Sequence, residues 1–231
     1  LYGQNVSEDT IVEACNQTAE EVEPVVEAIH AELKTTEEPA HFDETGSRVE
    51  KKLWWLHVIC THLLTYYQVH PNRGCKALDA IGIFPGFKGT AIHDAYRSYF
   101  QYETVRNALC KAHHLRDLIF IEEQYLQVWA TEMKALLLEV KGAVEAAQPE
   151  QNHLPPEKIA ELESRYDAIV AAGLAENTFP QPEEILPKKR GKPKQHPAKN
   201  LVDHFRDRKQ ETQAFMYDFK VPFDNNRRKE I

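Results

Sequence analysis

The segment from residue 40 to residue 110 constrains the fold more than any other part of the chain, because its hydrophobic pattern changes period there. Three short runs rich in β-branched and aromatic residues follow one another, separated by short turns: AHFDETGSRV, KLWWLHVIC and LLTYYQVH. They predict an antiparallel meander. GCKALDAIGIF then predicts a short helix ending at Gly82, and KGTAIHDAYRSYF a fourth strand that leaves on a polar, aromatic loop.

The resulting order, β-β-β-α-β and then helices, restricts the architecture. Strands that are neighbours in sequence pair first, and the crossover helix delivers the fourth strand to the same sheet; RNALC is a candidate fifth strand. A mixed sheet with helices packed on it is the economical arrangement. We therefore expect an α/β fold of mixed α+β type.

Helical periodicity dominates the remaining sequence. Over residues 7–34, Ser7 is a candidate cap, TAEE from Thr18 to Glu21 has capping-box spacing, and Pro24 predicts a kink or a restart. The helical pattern beginning at Lys111 continues for over thirty residues. Further helices are predicted by PPEKIAELESRYDAIVAAG and NLVDHFRDRKQETQAFMYDF, with the proline- and lysine-rich linker FPQPEEILPKKRGKPKQHPAKN between them.

Charge does not exclude a nucleic-acid partner. The 231 residues carry a net charge of −8, but residues 1–40 contain ten acids and one lysine, so the remainder is close to neutral. Four scattered cysteines without a CxxC pair, the absence of an 18-residue apolar run and the absence of a signal peptide favour a soluble, cytoplasmic protein without a membrane partner. Because residue 1 is Leu, we expect the sequence to be a fragment.

Two aspartates are the main candidates for chemistry. Asp43 lies within the first predicted strand and Asp94 at the end of the fourth, so parallel pairing of those strands would bring the carboxylates to one edge of the sheet. With a third acid from a later helix, they could hold two magnesium ions about 3.5–4 Å apart and act on a phosphodiester. From the pattern alone, a turn residue in DETG and a helix cap in HDAY are the favoured interpretations.

Five segments, in order, resemble the transposases of the insertion sequence 66 family. They are HFDETGSRVEKKLWWLHVICTHLLTYYQVHPNRG, ALDAIGIFPGFKGTAIHDAYRSYF, LCKAHHLRDLIFIEE, WATEMKALLLEVK and FKVPFDNN. The resemblance covers residues 1 to about 226 and implies a ribonuclease H-like catalytic core of the DDE type. Such a core cuts transposon ends and joins them to target DNA with divalent magnesium or manganese, and a homo-oligomer on DNA is the expected assembly, with no small-molecule substrate. Asp43 matches the aspartate of the family's DETG, and Asp94 that of its HD segment.

The chain departs from the family pattern at the third acid, the glutamate of DNNxAER. Asp224, Asn225 and Asn226 match, but the glutamate position holds Lys229, and Glu230 comes one residue late. We therefore expect impaired catalysis, with Glu230 as the near substitute. The rival hypothesis is a non-catalytic remnant of a degraded element, which folds and binds DNA or a full-length partner without doing chemistry.

The expected organisation has four parts: N-terminal helices over 1–38, the first part of the core over 39–112, a helical insertion with the basic linker over 113–200, and the C-terminal helices over 201–231. When bound to DNA, the protein would associate with the bacterial nucleoid. The candidate contacts to the DNA backbone are Arg73, Arg97, Lys188, Lys189, Arg190, Lys192 and Lys194. For the linker lysines, a solvated segment without a partner is an equally open interpretation.

Histidines and aromatic residues near the core have weaker functional signals. A metal site at Cys110, His113 and His114 lacks a complementary pair with zinc spacing, and a helix whose histidines line a groove is the favoured interpretation. At least one of Trp54 and Trp55 is expected in the core, since neighbouring strand residues face opposite sides. The aromatic residues Tyr96, Tyr99, Phe100 and Tyr102 are expected to pack the core edge, with stacking on unpaired bases as the alternative.

Overall fold

The computed structural model describes residues 6–178 and 195–224, and it confirms the mixed α/β fold. The sheet has the strand order β3-β2-β1-β4-β5. The strands are β1 (Ala40–Val49), β2 (Lys52–Cys60), β3 (Thr65–His70), β4 (Thr90–His93) and β5 (Arg106–Leu109). The helices are α1 (Glu8–Thr35), α2 (Cys75–Ile81), α3 (Lys111–Tyr125), α4 (Val128–Ala147), α5 (Pro156–Glu176), α6 (Pro197–Asp207) and α7 (Lys209–Tyr217).

The first three strands form the predicted antiparallel meander. β1 and β2 pair from His41 opposite Cys60 to Val49 opposite Lys52. The connecting residues, Glu50 and Lys51, have φ values of 49° and 67°, the left-handed conformation that two-residue hairpin turns require. α2 then crosses over and ends at Gly82, whose φ of 72° fits a glycine cap, so that β4 pairs with β1 in parallel.

Helices cover both faces of the sheet. One core cluster, which includes Phe42 and Ala91 of the sheet, packs against α2 and the end of α1, where Leu33 is buried. The second cluster joins Ile92 and Ala108 to the helices from α3 to α7. Because neighbouring strand residues point to opposite faces, β4 contributes Ala91 to the first cluster and Ile92 to the second.

The closest helix contact in the second cluster depends on a glycine. A Cβ atom added at Gly173 of α5 would lie 2.8 Å from Val202 Cγ2 and 2.9 Å from the Trp129 ring. α5 therefore approaches α4 and α6 closely at this point. This contact belongs to the second cluster, which packs the helices of the insertion against Ile92 and Ala108 of the sheet.

Several helix boundaries differ from the prediction. α1 continues through Pro24 without a restart, and Thr18 does not cap a helix, because its hydroxyl donates to the carbonyl of Ala14 within α1. Ser7 is the cap, as predicted, and accepts from the N–H of Thr10. The long helix predicted from Lys111 is two helices, because Leu126 adopts a left-handed conformation with φ of 52°.

The aromatic predictions were partly right. Tyr99 is buried, and Tyr96 and Tyr102 pack against the first cluster, as expected for a core edge. The prediction for Trp54 and Trp55 was wrong, because both are half-buried on the outer part of β2. None of the helices in the described ranges is long and apolar enough to cross a membrane.

Candidate catalytic carboxylates and their surroundings

The two candidate aspartates lie at neighbouring parallel strands, β1 and β4. Ala40 lies opposite Ala91 and His41 opposite Ile92. β4 ends at His93, so Asp94 directly follows it, and Asp43 lies two residues beyond His41 within β1. One candidate aspartate is thus carried by, and the other directly follows, two neighbouring parallel strands.

Backbone amides fix both carboxylates locally. Asp43 Oδ1 accepts from the N–H of Glu44 at 2.7 Å, and Asp94 Oδ1 accepts from the N–H of Tyr96 at 3.0 Å. Ala95, between Asp94 and Tyr96, has a φ of 70°, which is uncommon for a residue with a Cβ atom. Backbone conformations of this kind occur often at functional sites, and here the turn orients Asp94 at the end of β4.

His93 stabilises this turn through hydrogen bonds and ring stacking. Its Nδ1 accepts from the N–H of Ala95 at 3.1 Å, so its Nε2 carries the proton and donates to Asn107 Oδ1 at 3.0 Å. The ring stacks on Tyr99 with centroids 4.3 Å apart. Burial lowers the pKa of His93 to about 4, so the imidazole is neutral and keeps this tautomer near neutral pH.

Arg73 connects Asp94 to a second acid, Glu44. Arg73 Nη2 lies 3.4 Å from Asp94 Oδ2 and 3.5 Å from Glu44 Oε2. Its guanidinium is also 4.0 Å from the ring centroid of Tyr96 and 5.1 Å from that of Trp55. These contacts hold the guanidinium in one place, since both the charge and the plane of the group are engaged.

Glu44 is the most deeply buried acid of the site. Its side chain has 0% exposure, and its polar neighbours are the guanidinium of Arg73 and the hydroxyl of Tyr99. Burial raises the pKa of Glu44, and the charge of Arg73 counteracts part of that rise. Burial also raises the pKa of Tyr99, and the neighbouring Glu44 carboxylate adds to it. The sequence analysis did not single out Glu44, although it follows Asp43 directly.

A cavity of about 420 Å³ opens on the other side of Asp94, between α3 and α6. Its polar lining includes Asp94, His114, Asp117, Asn200 and His204. His114 Nε2 and His204 Nε2 are 3.3 Å apart, which joins α3 to α6. The prediction that a histidine after Cys110 lines a groove is thus confirmed for His114.

The histidine pair is held in the neutral form. Burial lowers the pKa of His114 well below its ordinary value, and the neighbouring His204 and Lys111 lower it further. Burial also lowers the pKa of His204, with Arg208 as the next cause. A hydrogen bond between two imidazoles requires one lone pair, so this pair is consistent with neutral rings.

Of the residues predicted to contact DNA, some lie on the surface of the protein and others lie outside the described residues. Arg97 is exposed, whereas Arg73 is engaged within the site as described above. The linker residues Lys188, Lys189, Arg190, Lys192 and Lys194, together with Glu230, lie outside the described residues. Within residues 6–178 and 195–224, no group of three His, Cys, Asp or Glu side chains is arranged to hold a metal ion.

Comparisons with known proteins point to one family. The family model described as "Transposase IS66 family" matches residues 1–229. No curated protein sequence matches the chain. One similar solved structure is titled "CryoEM structure of simian T-cell lymphotropic virus intasome in complex with PP2A regulatory subunit B56 gamma"; the match has 13% sequence identity and a TM-score of 0.27. It covers 70% of this chain and 60% of that chain, less than two thirds of its length.

Proposed function

The chain belongs to the IS66 family of transposases, and from that premise we propose that it cleaves and transfers DNA strands with a divalent metal held by Asp43 and Asp94. The observation that supports this most directly is the parallel pairing of β1, which contains Asp43, with β4, which ends one residue before Asp94. The proposed partners are the transposon ends and target DNA, bound by a homo-oligomer that works at the nucleoid.

The donor set fits magnesium or manganese. Both ions favour oxygen ligands, and magnesium is commonly held by one or two carboxylates together with water and substrate phosphates. Asp43 and Asp94 have short side chains fixed by backbone N–H groups, which limits their movement on the rigid sheet. A divalent ion at this edge would activate the attacking water or hydroxyl and stabilise the leaving oxygen of the phosphodiester.

The neighbouring residues of the chain orient these carboxylates. The neutral His93 holds the Ala95 N–H and thereby the turn that carries Asp94. Arg73 balances negative charge at Asp94, and exposed Arg97 lies three residues further along as a candidate contact to the DNA backbone. The basic linker residues are proposed to add sequence-independent phosphate contacts, whose strength falls with rising salt.

The experiment for the carboxylates combines metal binding with strand cleavage. Calorimetric titration with MnCl₂ should show weak binding that Asp43→Asn or Asp94→Asn abolishes, and both variants should lose cleavage of labelled DNA carrying the element's ends. Asp79→Asn is the matched control, because Asp79 is an exposed acid on α2. Equal affinity of the wild-type chain and both site variants for manganese would contradict the proposed site.

We also propose that Lys229 weakens catalysis in this chain. A cation at the position where the family has its glutamate repels metal ions and competes for the neighbouring carboxylates. Glu230 is one residue late, and one residue along a helix turns a side chain by about 100°. Lys229→Glu should therefore raise the cleavage rate, whereas the control Arg228→Glu, with the same charge change one position earlier, should not.

The outcome of that experiment separates the proposal from its rival. A non-catalytic remnant would show no metal-dependent cleavage in either variant, even when it binds the labelled DNA. Cleavage that is equal in the wild-type chain and in Lys229→Glu would instead show that Lys229 does not limit the reaction.

A further inference from the structure

Arg73 is shared between two acids that differ in their access to solvent. The distances from its Nη2 to Glu44 and Asp94 differ by only 0.1 Å, at 3.5 Å and 3.4 Å. The side chain of Glu44 is 0% exposed, whereas that of Asp94 is 25% exposed. One nitrogen thus contacts a buried carboxylate and a carboxylate that faces the proposed metal site.

The buried acid needs this cation more than Asp94 does. An ionised carboxylate in the protein interior is strongly destabilised unless an opposite charge lies beside it. Arg73 is the only cation that forms a salt bridge with Glu44 among the described residues. Asp94, by contrast, has the Tyr96 N–H, partial exposure to water and, when loaded, a metal ion as alternative partners.

The packing of Arg73 keeps it at this position. Tyr96 and Trp55 border the guanidinium, and Arg73 Nε is buried without a hydrogen bond in the described part of the chain. A small shift of the Arg73 guanidinium is enough to favour one acid over the other. Movement of the side chain into bulk solvent would instead leave Glu44 without its cation. Arg73 is therefore placed to compete with a metal ion for Asp94.

We propose that Glu44 is a positioning residue that tunes metal binding at Asp94: it draws Arg73 away from Asp94, and without it Arg73 pairs with Asp94 and opposes the metal ion. This inference rests on the proposed metal-binding role of Asp94. It assigns Glu44 no contact with the metal or with DNA. Glu44 acts through the position of Arg73 alone.

The proposal predicts opposite effects for two related variants. Glu44→Gln keeps the shape of the side chain but removes its negative charge, so Arg73 has Asp94 as its remaining acid, and the affinity for Mn²⁺ should fall roughly fivefold, the scale of one partly exposed ion pair. Glu44→Gln combined with Arg73→Met removes both charges and frees Asp94, so the affinity should rise roughly fivefold above wild type.

The experiment is a calorimetric titration of the whole chain with MnCl₂ at fixed pH and ionic strength. The samples are the wild type, Glu44→Gln, the double variant and Arg48→Met, which removes an exposed arginine from the same strand as Glu44 and should leave the affinity unchanged. Circular dichroism and a denaturant midpoint verify that each variant is folded. The double variant is used because Arg73→Met alone leaves a buried acid unpaired.

The opposite signs separate positioning from a purely structural role. A general loss of structure would weaken metal binding in both variants, whereas competition weakens it in one and strengthens it in the other. Unchanged or tighter binding in Glu44→Gln, or weaker binding in the double variant, would overturn the inference. Asp94→Asn distinguishes failure of the proposed metal site from failure of the role proposed for Glu44. If Asp94→Asn leaves Mn²⁺ binding intact, the proposed metal site itself is wrong. If Asp94→Asn abolishes binding while Glu44→Gln leaves the affinity unchanged, only the role of Glu44 is wrong.

Discussion

The two sides of Asp94 bury ionisable side chains in different ways. On one side, Glu44 is buried with the cation of Arg73 at 3.5 Å, which we call the paired side. On the other, His114 and Lys111 are buried and His204 is half-buried, and none of the three forms a salt bridge to an acid in the described ranges, which we call the unpaired side. Burial opposes charge on both sides, but an opposite charge compensates for it on the paired side alone.

The presence or absence of an opposite charge decides how far burial shifts the pKa of each group. Burial raises the pKa of Glu44, and the charge of Arg73, which lies 3.5 Å from its carboxylate, limits that rise. On the unpaired side burial lowers the pKa values of both histidines, and that of Lys111 falls to about 7. The paired side thus has an opposite charge that limits the effect of burial, whereas on the unpaired side burial shifts the pKa values toward the neutral forms.

Lys111→Met should give the largest effect, a gain in stability. Lys111 Nζ is fully buried, lies 4.7 Å from the Phe215 ring centroid and has no hydrogen-bond acceptor in the described part of the chain. Because the folded-state pKa lies below the unfolded value of 10.5, stability is complete above pH 10.5 and is lost as pH falls toward 7. The substitution should recover roughly 4 kcal/mol at pH 7.

Urea denaturation at pH 7 and pH 10 measures this gain, which should shrink at the higher pH. Lys76→Met is the control, because it removes an exposed lysine from α2. A loss of stability in Lys111→Met at pH 7 would show that Lys111 has an acidic partner and would break the distinction between the two sides.

Arg73→Met should produce the next largest effect, a loss of about 3 kcal/mol at pH 7, because it leaves the buried Glu44 without its cation. The loss should be smaller at pH 5, where protonation of Glu44 costs less free energy. The same measurement on the double variant with Glu44→Gln should recover most of the stability. If the double variant is as unstable as Arg73→Met, the contacts of Arg73 with Trp55 and Tyr96, rather than its charge, explain the loss.

His114→Phe should change the acid side of the stability profile. The pKa of His114 is lowered on folding, so its contribution to stability is complete above pH 6.5 and is lost as pH falls below that value. Phenylalanine can occupy the same space beside Phe205, whose ring centroid is 5.0 Å from that of His114. The free energy of unfolding should therefore fall less steeply between pH 7 and pH 5 than in the wild type.

Denaturant midpoints at half-unit steps of pH provide the comparison, with His62→Phe as the control at an exposed histidine. A slope as steep as that of the wild type would mean that the His114–His204 pair accepts a proton in the folded protein. The histidine pair would then resemble the paired side, because an anion would compensate its positive charge.

The sequence predicted the local elements well, because they follow from short-range patterns. Alternating hydrophobic runs define β1 to β4, and the crossover through α2 makes β4 parallel to β1. The shared site of Asp43 and Asp94 stays a prediction. The family resemblance added the catalytic role. The break at Leu126 was missed because a leucine in a left-handed conformation has no signature in the hydrophobic pattern.

The surroundings of Asp94 could not be predicted, because they depend on contacts between distant segments. Glu44 in a strand resembles any solvent-facing acid until Arg73, from the loop before α2, is placed beside it. His114 and His204 are 90 residues apart and meet only when α6 returns to α3. Their charge states are therefore properties of tertiary packing rather than of local sequence.

Glu44→Gln should have the smallest effect on stability and is the most sensitive test of the paired side. The folded-state pKa of Glu44 is raised, so its contribution is complete below the unfolded value of 4.5 and is lost as pH rises through the folded value. Glutamine resembles the neutral acid, so the variant should match the wild type near pH 4 and become slightly more stable as pH approaches 8. This slope is opposite in sign to the one that His114 contributes on the unpaired side. Denaturation of both proteins from pH 4 to pH 8 measures it, and a variant that becomes less stable than the wild type with rising pH would show that Arg73 fully compensates the burial of Glu44.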